Sequence, residues 1–213
     1  MGWCICERQP AVRQSIPLRP QFPNAAAGGE IKNMKHLLVC AGLVFAATTV
    51  LAQQKAPASP PEKATGTIGG HEVSITYSSP GVKGREGKIF TKDGLISHNP
   101  HYPVWRAGAN AATTLETNGD LMIGDLHVPA GKYTLFVDIS DPDQWTLIVN
   151  KKTGEWGLAY DGSQDLGKTK MHMSKPSSMV ENLKWDVKGE GAKGTITLAW
   201  EDHEGSVPVV AHK

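Results

Sequence analysis

The chain has 213 residues, with 22 Lys and Arg against 21 Asp and Glu, 39% hydrophobic residues and three cysteines. Near-neutral charge without a basic run argues against a nucleic-acid binder, which needs a cationic patch or stripe. Cys4, Cys6 and Cys40 all precede Ala52, so neither a disulfide framework nor a thiol nucleophile is expected in the part that follows.

Residues 1–33 carry no hydrophobic period and include Pro10, Pro17, Pro20 and Pro23. They read as an extension upstream of a start at Met34, from a mis-called initiation site. Met34-Lys35-His36 is followed by the apolar run Leu37 to Leu51 and then Ala52. A basic start, a short apolar stretch and a small residue at the cut describe a secretory signal peptide over 34–52. The rival reading is a cytoplasmic tail before one membrane anchor, but the run has about 15 residues and a spanning helix needs about 20. A prokaryotic exported protein is expected, periplasmic or secreted, with no integral membrane segment after cleavage. Its mature charge would be −2, because Glu7, Glu30 and the basic residues Arg8, Arg13, Arg19, Lys32 and Lys35 are removed.

Gln53 to Thr65 reads QQKAPASPPEKAT, polar and Pro-rich, so 53–65 is expected to be a linker. The stretch 66–213 then has the length of one domain. Its hydrophobic period is two. Val73, Ile75 and Tyr77 alternate with polar residues. The same spacing recurs in Tyr133, Leu135, Val137 and Ile139, then Trp145, Leu147 and Val149, then Leu183, Trp185 and Val187, and finally Ile196, Leu198 and Trp200, with Phe136, Ile148 and Ala199 the apolar residues at intervening positions. Each set predicts a strand with one buried face. Turn signals separate the strands, among them Gly69-Gly70, Asn118-Gly119-Asp120, Pro129-Ala130-Gly131 and Asp161-Gly162. No stretch has a helical stripe with caps, and at most a short helix is expected near Ser177 to Glu181. The predicted class is all-β, a single antiparallel β-sandwich.

Several blocks carry a resemblance. Tyr77-Ser78-Ser79-Pro80, Val82-Lys83-Gly84-Arg85, Val104-Trp105-Arg106-Ala107-Gly108-Ala109-Asn110, Pro129-Ala130-Gly131-Lys132-Tyr133 and Trp145 to Asn150 resemble the exported bacterial family known as domain of unknown function 2911. The likeness covers nearly all of 66–213, and the Trp-Arg-x-Gly-Ala-Asn block is its most specific part. This chain departs from the family where His101-Tyr102-Pro103 replaces the usual Pro-Tyr-Gly. The resemblance implies the sandwich and export, and no activity, cofactor or substrate.

Five constellations are candidates for chemistry. If 106–110 is extended, Arg106, Gly108 and Asn110 share a face. A guanidinium and an amide would then flank a notch suited to a carboxylate, phosphate, sulfate or sugar hydroxyl. Trp105 and Tyr102 could add a stacking wall. Lys83-Gly84-Arg85 forms a basic, Gly-rich loop that could close over an anion held by Arg106. It lacks the spacing and the Ser or Thr of a phosphate-binding loop. Met171-His172-Met173 invites a copper reading, but period two puts His172 opposite the methionines, and His98 with His101 makes only two ligands. Asp138, Asp141 and Asp143 read as turn formers. Glu201, Asp202 and Glu204 flank His203, most simply as a solvated strand end. Neither a metal nor a cofactor is expected.

The reading these residues favour is a non-catalytic binding or accessory module. It would hold an anionic or saccharide ligand with Arg106, Asn110, Lys83, Arg85, Trp105 and Tyr102. One alternative is a hydrolase-type enzyme in which Arg106 stabilises negative charge and Glu116 or Glu86 is the base. The other is a structural domain that contacts a protein partner.

Overall fold

A computed structural model describes residues 57–212. The extension 1–33, the signal peptide 34–52 and the start of the expected linker lie outside the described residues. Thirteen strands form two antiparallel sheets, as the period-two patterning predicts.

The first sheet contains β1 (Pro61–Ile68), β2 (His71–Ser78), β3 (Val104–Trp105), β4 (Thr113–Thr117), β7 (Gly131–Asp138), β8 (Thr146–Asn150) and β9 (Asp165–Lys170). Its order is β1-β2-β4-β7-β8-β9, with β3 also paired to β7. The second sheet contains β5 (Leu121–Ile123), β6 (Leu126–Val128), β10 (His172–Ser174), β11 (Val180–Glu190), β12 (Lys193–Glu201) and β13 (His203–Ala211). Its order is β11-β12-β13-β5-β6, with β10 against β13.

One core fills the space between the sheets. Val73, Ile75, Leu115, Leu135, Val137, Leu147 and Val149 come from the first sheet, and Leu183, Trp185, Ile196, Leu198, Val207 and Val209 from the second. All but Leu115, Val207 and Val209 are positions the alternation assigns to the interior. The Gly69-Gly70 turn closes a two-residue hairpin between Ile68 and His71. Both glycines have positive φ, 61° and 83°, which the primed turns of such hairpins require.

Three departures from the sequence reading have local causes. Residues 61–65, expected in the linker, open β1. This strand reads Pro-Glu-Lys-Ala-Thr-Gly-Thr-Ile and buries only Ile68 fully. A Cβ on Gly66 would stand 2.6 Å from the Val187 carbonyl oxygen of β11. Backbone packs on backbone here, so the strand meets the core without the apolar alternation that would announce it. Strand β13 is hidden for a related reason, since Gly205 and Pro208 interrupt its pattern. Finally, 175–179 is irregular and Val180 begins β11, so the short helix considered near Ser177 to Glu181 is absent. Two 3-10 turns occur instead, at Ile96–His98 and Gly162–Gln164.

Strands β7 and β8 are buried on both faces. Phe136 and Ile148 point away from the inter-sheet core and are still buried. Tyr160, from the loop after β8, packs edge-on against Phe136 with ring centroids 4.8 Å apart. Buried Asn150 fixes that loop. Its amide donates to the Asp161 carbonyl at 2.9 Å and to Asp165 Oδ1 at 2.8 Å, while its oxygen accepts from Lys152 N at 2.9 Å.

Candidate functional site

Three loops and the segment before β1 meet around a cavity of about 480 Å³. The loop after β2 supplies Pro80, Gly81, Lys83 and Arg85, the 3-10 turn supplies Leu95, Ile96, His98 and Asn99, and the β3–β4 loop supplies Arg106, Gly108 and Ala109. Trp105, Leu158, Trp200, Ala58 and Ser59 complete the lining.

The first loop is tied to the edge strand β11. Val82 N donates to the Glu181 carbonyl at 2.8 Å, Leu183 N to the Pro80 carbonyl at 2.9 Å, and Ser79 Oγ to the Leu183 carbonyl at 2.6 Å. Lys83 then turns with φ of 53°. Its own N–H reaches a Glu181 carboxylate oxygen at 3.0 Å, and its ammonium donates to the Ala58 carbonyl at 2.7 Å. Arg85 folds back, with Nε on the Val82 carbonyl at 2.8 Å and Nη2 on the Gly81 carbonyl at 2.6 Å. That leaves its Nη1 donors without a hydrogen bond among the described residues.

The β3–β4 loop is not extended. Ala107 and Asn110 adopt positive φ, 49° and 58°, each costing about 1 kcal/mol or more in a non-glycine residue. The buried surroundings hold the turn. The Ala107 carbonyl accepts from Thr113 Oγ1 at 3.0 Å and from Trp185 Nε1 at 2.9 Å, the latter reaching across from the second sheet. Consequently Arg106, Gly108 and Asn110 do not form one face. Arg106 and Gly108 line the cavity. Asn110 is exposed, and its amide contacts the Ser59 carbonyl at 3.4 Å, bracing the segment before β1 rather than the cavity.

Arg106 is the anomaly. It makes no ion pair and no hydrogen bond among the described residues, and its Nε is buried without a partner. Its aliphatic stem lies where a Cβ of Gly157 would be, and that Cβ would also stand 2.7 Å from the Asn110 carbonyl oxygen. Desolvation pushes the guanidinium below the ordinary arginine range, the direction expected of a charge buried without a counter-ion. Removing one partner of a buried pair costs about 3–5 kcal/mol for this reason. No Asp or Glu stands in the lining beside the three cations.

Of the residues expected to hold ligand, Lys83, Arg85, Arg106 and Trp105 line this cavity, while Tyr102 and Asn110 do not. Trp105 is buried and stacks on Trp200 at 5.8 Å, with Phe90 edge-on at 5.9 Å. It forms cavity wall, and Tyr102, expected to share a stacking wall with it, does not line the cavity. Glu116, one base of the hydrolase alternative, lines a separate polar groove with Glu72, Lys63 and Asn118. Glu86, the other, is absent from the Arg106 lining.

His98, Asn99 and Leu158 belong to the lining and escape the sequence reading, because nothing in the sequence ties 98–99 or 158 to 83–85 and 106. His98 Nδ1 lies 2.9 Å from the Gly94 carbonyl oxygen. A carbonyl only accepts, so Nδ1 carries a proton there.

The remaining candidates have local structural roles. Asp138 Oδ1 accepts from Ser140 N at 2.9 Å and Asp141 Oδ1 from Asp143 N at 3.0 Å, as in ordinary Asx turns. Met171 is buried and Met173 half-buried, while His172 is exposed between them. Glu201, Asp202 and His203 do converge, with His203 Nδ1 2.6 Å from Asp202 Oδ1. Glu201, however, accepts the Gly87 N–H, and the His203 ring stacks on Trp145 at 5.6 Å.

Fold and cavity define the class: a two-sheet antiparallel β-sandwich with a loop-built cationic cavity. The chain belongs to the family described as protein of unknown function (DUF2911), whose sequence profile matches residues 59–209. No curated protein and no solved structure matches the chain.

Proposed function

We propose that this protein is an exported, non-catalytic binding module that takes a small anionic ligand in the cavity formed by Lys83, Arg85 and Arg106. The carrying observation is Arg106, a guanidinium with a buried, unpartnered Nε in a lining without a carboxylate. A protein that needed this arginine only for structure would pair it. An incoming oxyanion supplies the missing acceptor, and charge-assisted bonds to a guanidinium are among the strongest available. Sugars are a poorer fit, because their hydroxyls also need acceptors and the lining is dominated by donors. A hydrolase would need a carboxylate base at Arg106, and neither Glu116 nor Glu86 stands there.

The test is thermal unfolding against acetate, succinate, sulfate, phosphate and neutral sugars. Saturation at 100 times the dissociation constant contributes about 2.7 kcal/mol, a rise in Tm of about 5–10 °C for a domain of this size. The rise should occur with an anion, vanish in Arg106→Met and persist in the distant control Lys132→Met. No rise with any anion, or an equal rise in Arg106→Met, refutes the proposal.

A further inference from the structure

The same cavity is too large and too apolar for a bare oxyanion. Its volume of about 480 Å³ falls in the range that takes a whole organic molecule, roughly 300–1,000 Å³. Beside the three cations the lining holds Trp105, Trp200, Leu95, Ile96 and Leu158. Trp105, Trp200 and Ile96 are buried, whereas Leu95 is 40% and Leu158 39% exposed. The apolar lining therefore runs from the core out to solvent. Trp156, two residues before Leu158, is the most exposed large hydrophobic among the described residues at 60%, and its strand bridge to Ala111 anchors it beside the Arg106 loop. A phosphate or sulfate would occupy the cationic part and leave this apolar wall facing water.

We infer that the ligand is an amphiphilic organic anion: an acidic head group held by Arg106 with Lys83 and Arg85, and an aliphatic or aromatic body lying against Trp105, Trp200, Ile96, Leu95 and Leu158. The inference rests on the anion-binding reading above and adds the chemical class of the ligand. Head groups of two kinds share this chemistry, a carboxylate and a phosphate monoester, and the experiment carries an arm for each. Lys83 must be recruited, since its ammonium now rests on the Ala58 carbonyl. Trading a neutral carbonyl for an anion is favourable for an ammonium.

The experiment is calorimetric titration of the purified protein with straight-chain carboxylates from acetate to decanoate. The matching alkyl phosphates form the second arm, and 1-octanol and glucose 6-phosphate are the controls. Each buried methylene should tighten binding about three- to fourfold until the cavity is full, with a heat-capacity change that becomes more negative along the series. Whichever arm binds more tightly at matched chain length identifies the head group. Leu158→Ser, at a half-exposed position of the apolar wall, should flatten the chain-length dependence, and a slope equal to the parent's would refute the apolar body. If acetate, phosphate or glucose 6-phosphate binds as tightly as octanoate and octyl phosphate, the apolar body is refuted and the anion site stands. If 1-octanol binds as tightly as octanoate, the cationic site itself is refuted. Absence of binding by every compound overturns both.

Discussion

Two polar regions of this sandwich have opposite economies. Around Asn150 every buried polar group has a partner: the amide bonds to Asp161 and Asp165, its oxygen takes Lys152 N, and Asp165 Oδ2 receives the Tyr160 hydroxyl at 2.8 Å and lies 3.4 Å from Lys168 Nζ. Around Arg106 the buried guanidinium Nε has none among the described residues. Closed networks of the first kind fix a fold, in this case pinning the 151–164 loop over Phe136. An open set of donors in a cavity costs stability and is retained where something else completes it.

The contrast breaks first at Asn150. Asn150→Ala removes three hydrogen bonds and leaves Lys152 N and an Asp165 oxygen without their partner. Chemical denaturation should show a loss of about 2–4 kcal/mol. A loss under about 0.5 kcal/mol would mean the closed network is not structural. Tyr160→Phe should cost less, about 1–2 kcal/mol, for one bond to a charged acceptor.

Tyr160 also sharpens the comparison through pH. Burial first, then the bond to Asp165, raises its hydroxyl above the usual tyrosine range. The unfolded chain therefore ionises first. The contribution is complete below about pH 10 and declines as pH rises toward the folded value. Stability measured between pH 8 and 11 should fall more steeply in the parent protein than in Tyr160→Phe, and parallel curves would contradict the assignment.

Arg106→Met should behave in the opposite sense. Replacing a half-buried arginine whose Nε lacks a partner by an apolar chain of similar length should leave stability unchanged or raise it by about 1 kcal/mol, while anion-induced stabilisation disappears. A loss of more than 2 kcal/mol would place Arg106 with Asn150 as a structural residue. Gly157→Ala supports the same distinction, because the new Cβ displaces the Arg106 stem and should weaken anion binding about tenfold with the strands intact.

The smallest effect belongs to Asp120. Its carboxylate accepts the Ala130 N–H at 2.9 Å, which lowers it below the ordinary range, and His127 adds to this. Its contribution is present above about pH 4 and is lost as pH falls through the depressed value. Asp120→Asn should remove a small part of the acid dependence of unfolding, measurable by denaturation between pH 2 and 5.

Strands β2, β7, β8, β11 and β12 are legible because the face turned to the core is a local property, written every second residue, although Phe136 and Ile148 bury the other face of β7 and β8 as well. Strands β1 and β13 are illegible for the converse reason: a glycine stands at an inward position, packed on the Val187 backbone in β1 and on the Met171 and Met173 side chains in β13. The cavity divides the same way. Lys83, Arg85 and Arg106 are recognisable as donors beside glycines, but their sequence implies an extended notch including Asn110. The positive φ of Ala107 and Asn110 turns Arg106 toward Lys83 and sends Asn110 to Ser59, and no spacing rule anticipates that in residues other than glycine.

The sequence by itself determined the all-β class, most core positions and the kind of charge at the site, because periodicity and residue chemistry are carried residue by residue. Only the tertiary structure decided that residues near 58, 83, 98, 106, 158 and 200 enclose one cavity, and that Arg106 has no counter-ion among the described residues. Both follow from which loops the two sheets bring together, and contacts between residues so far apart in the chain leave no mark on local pattern.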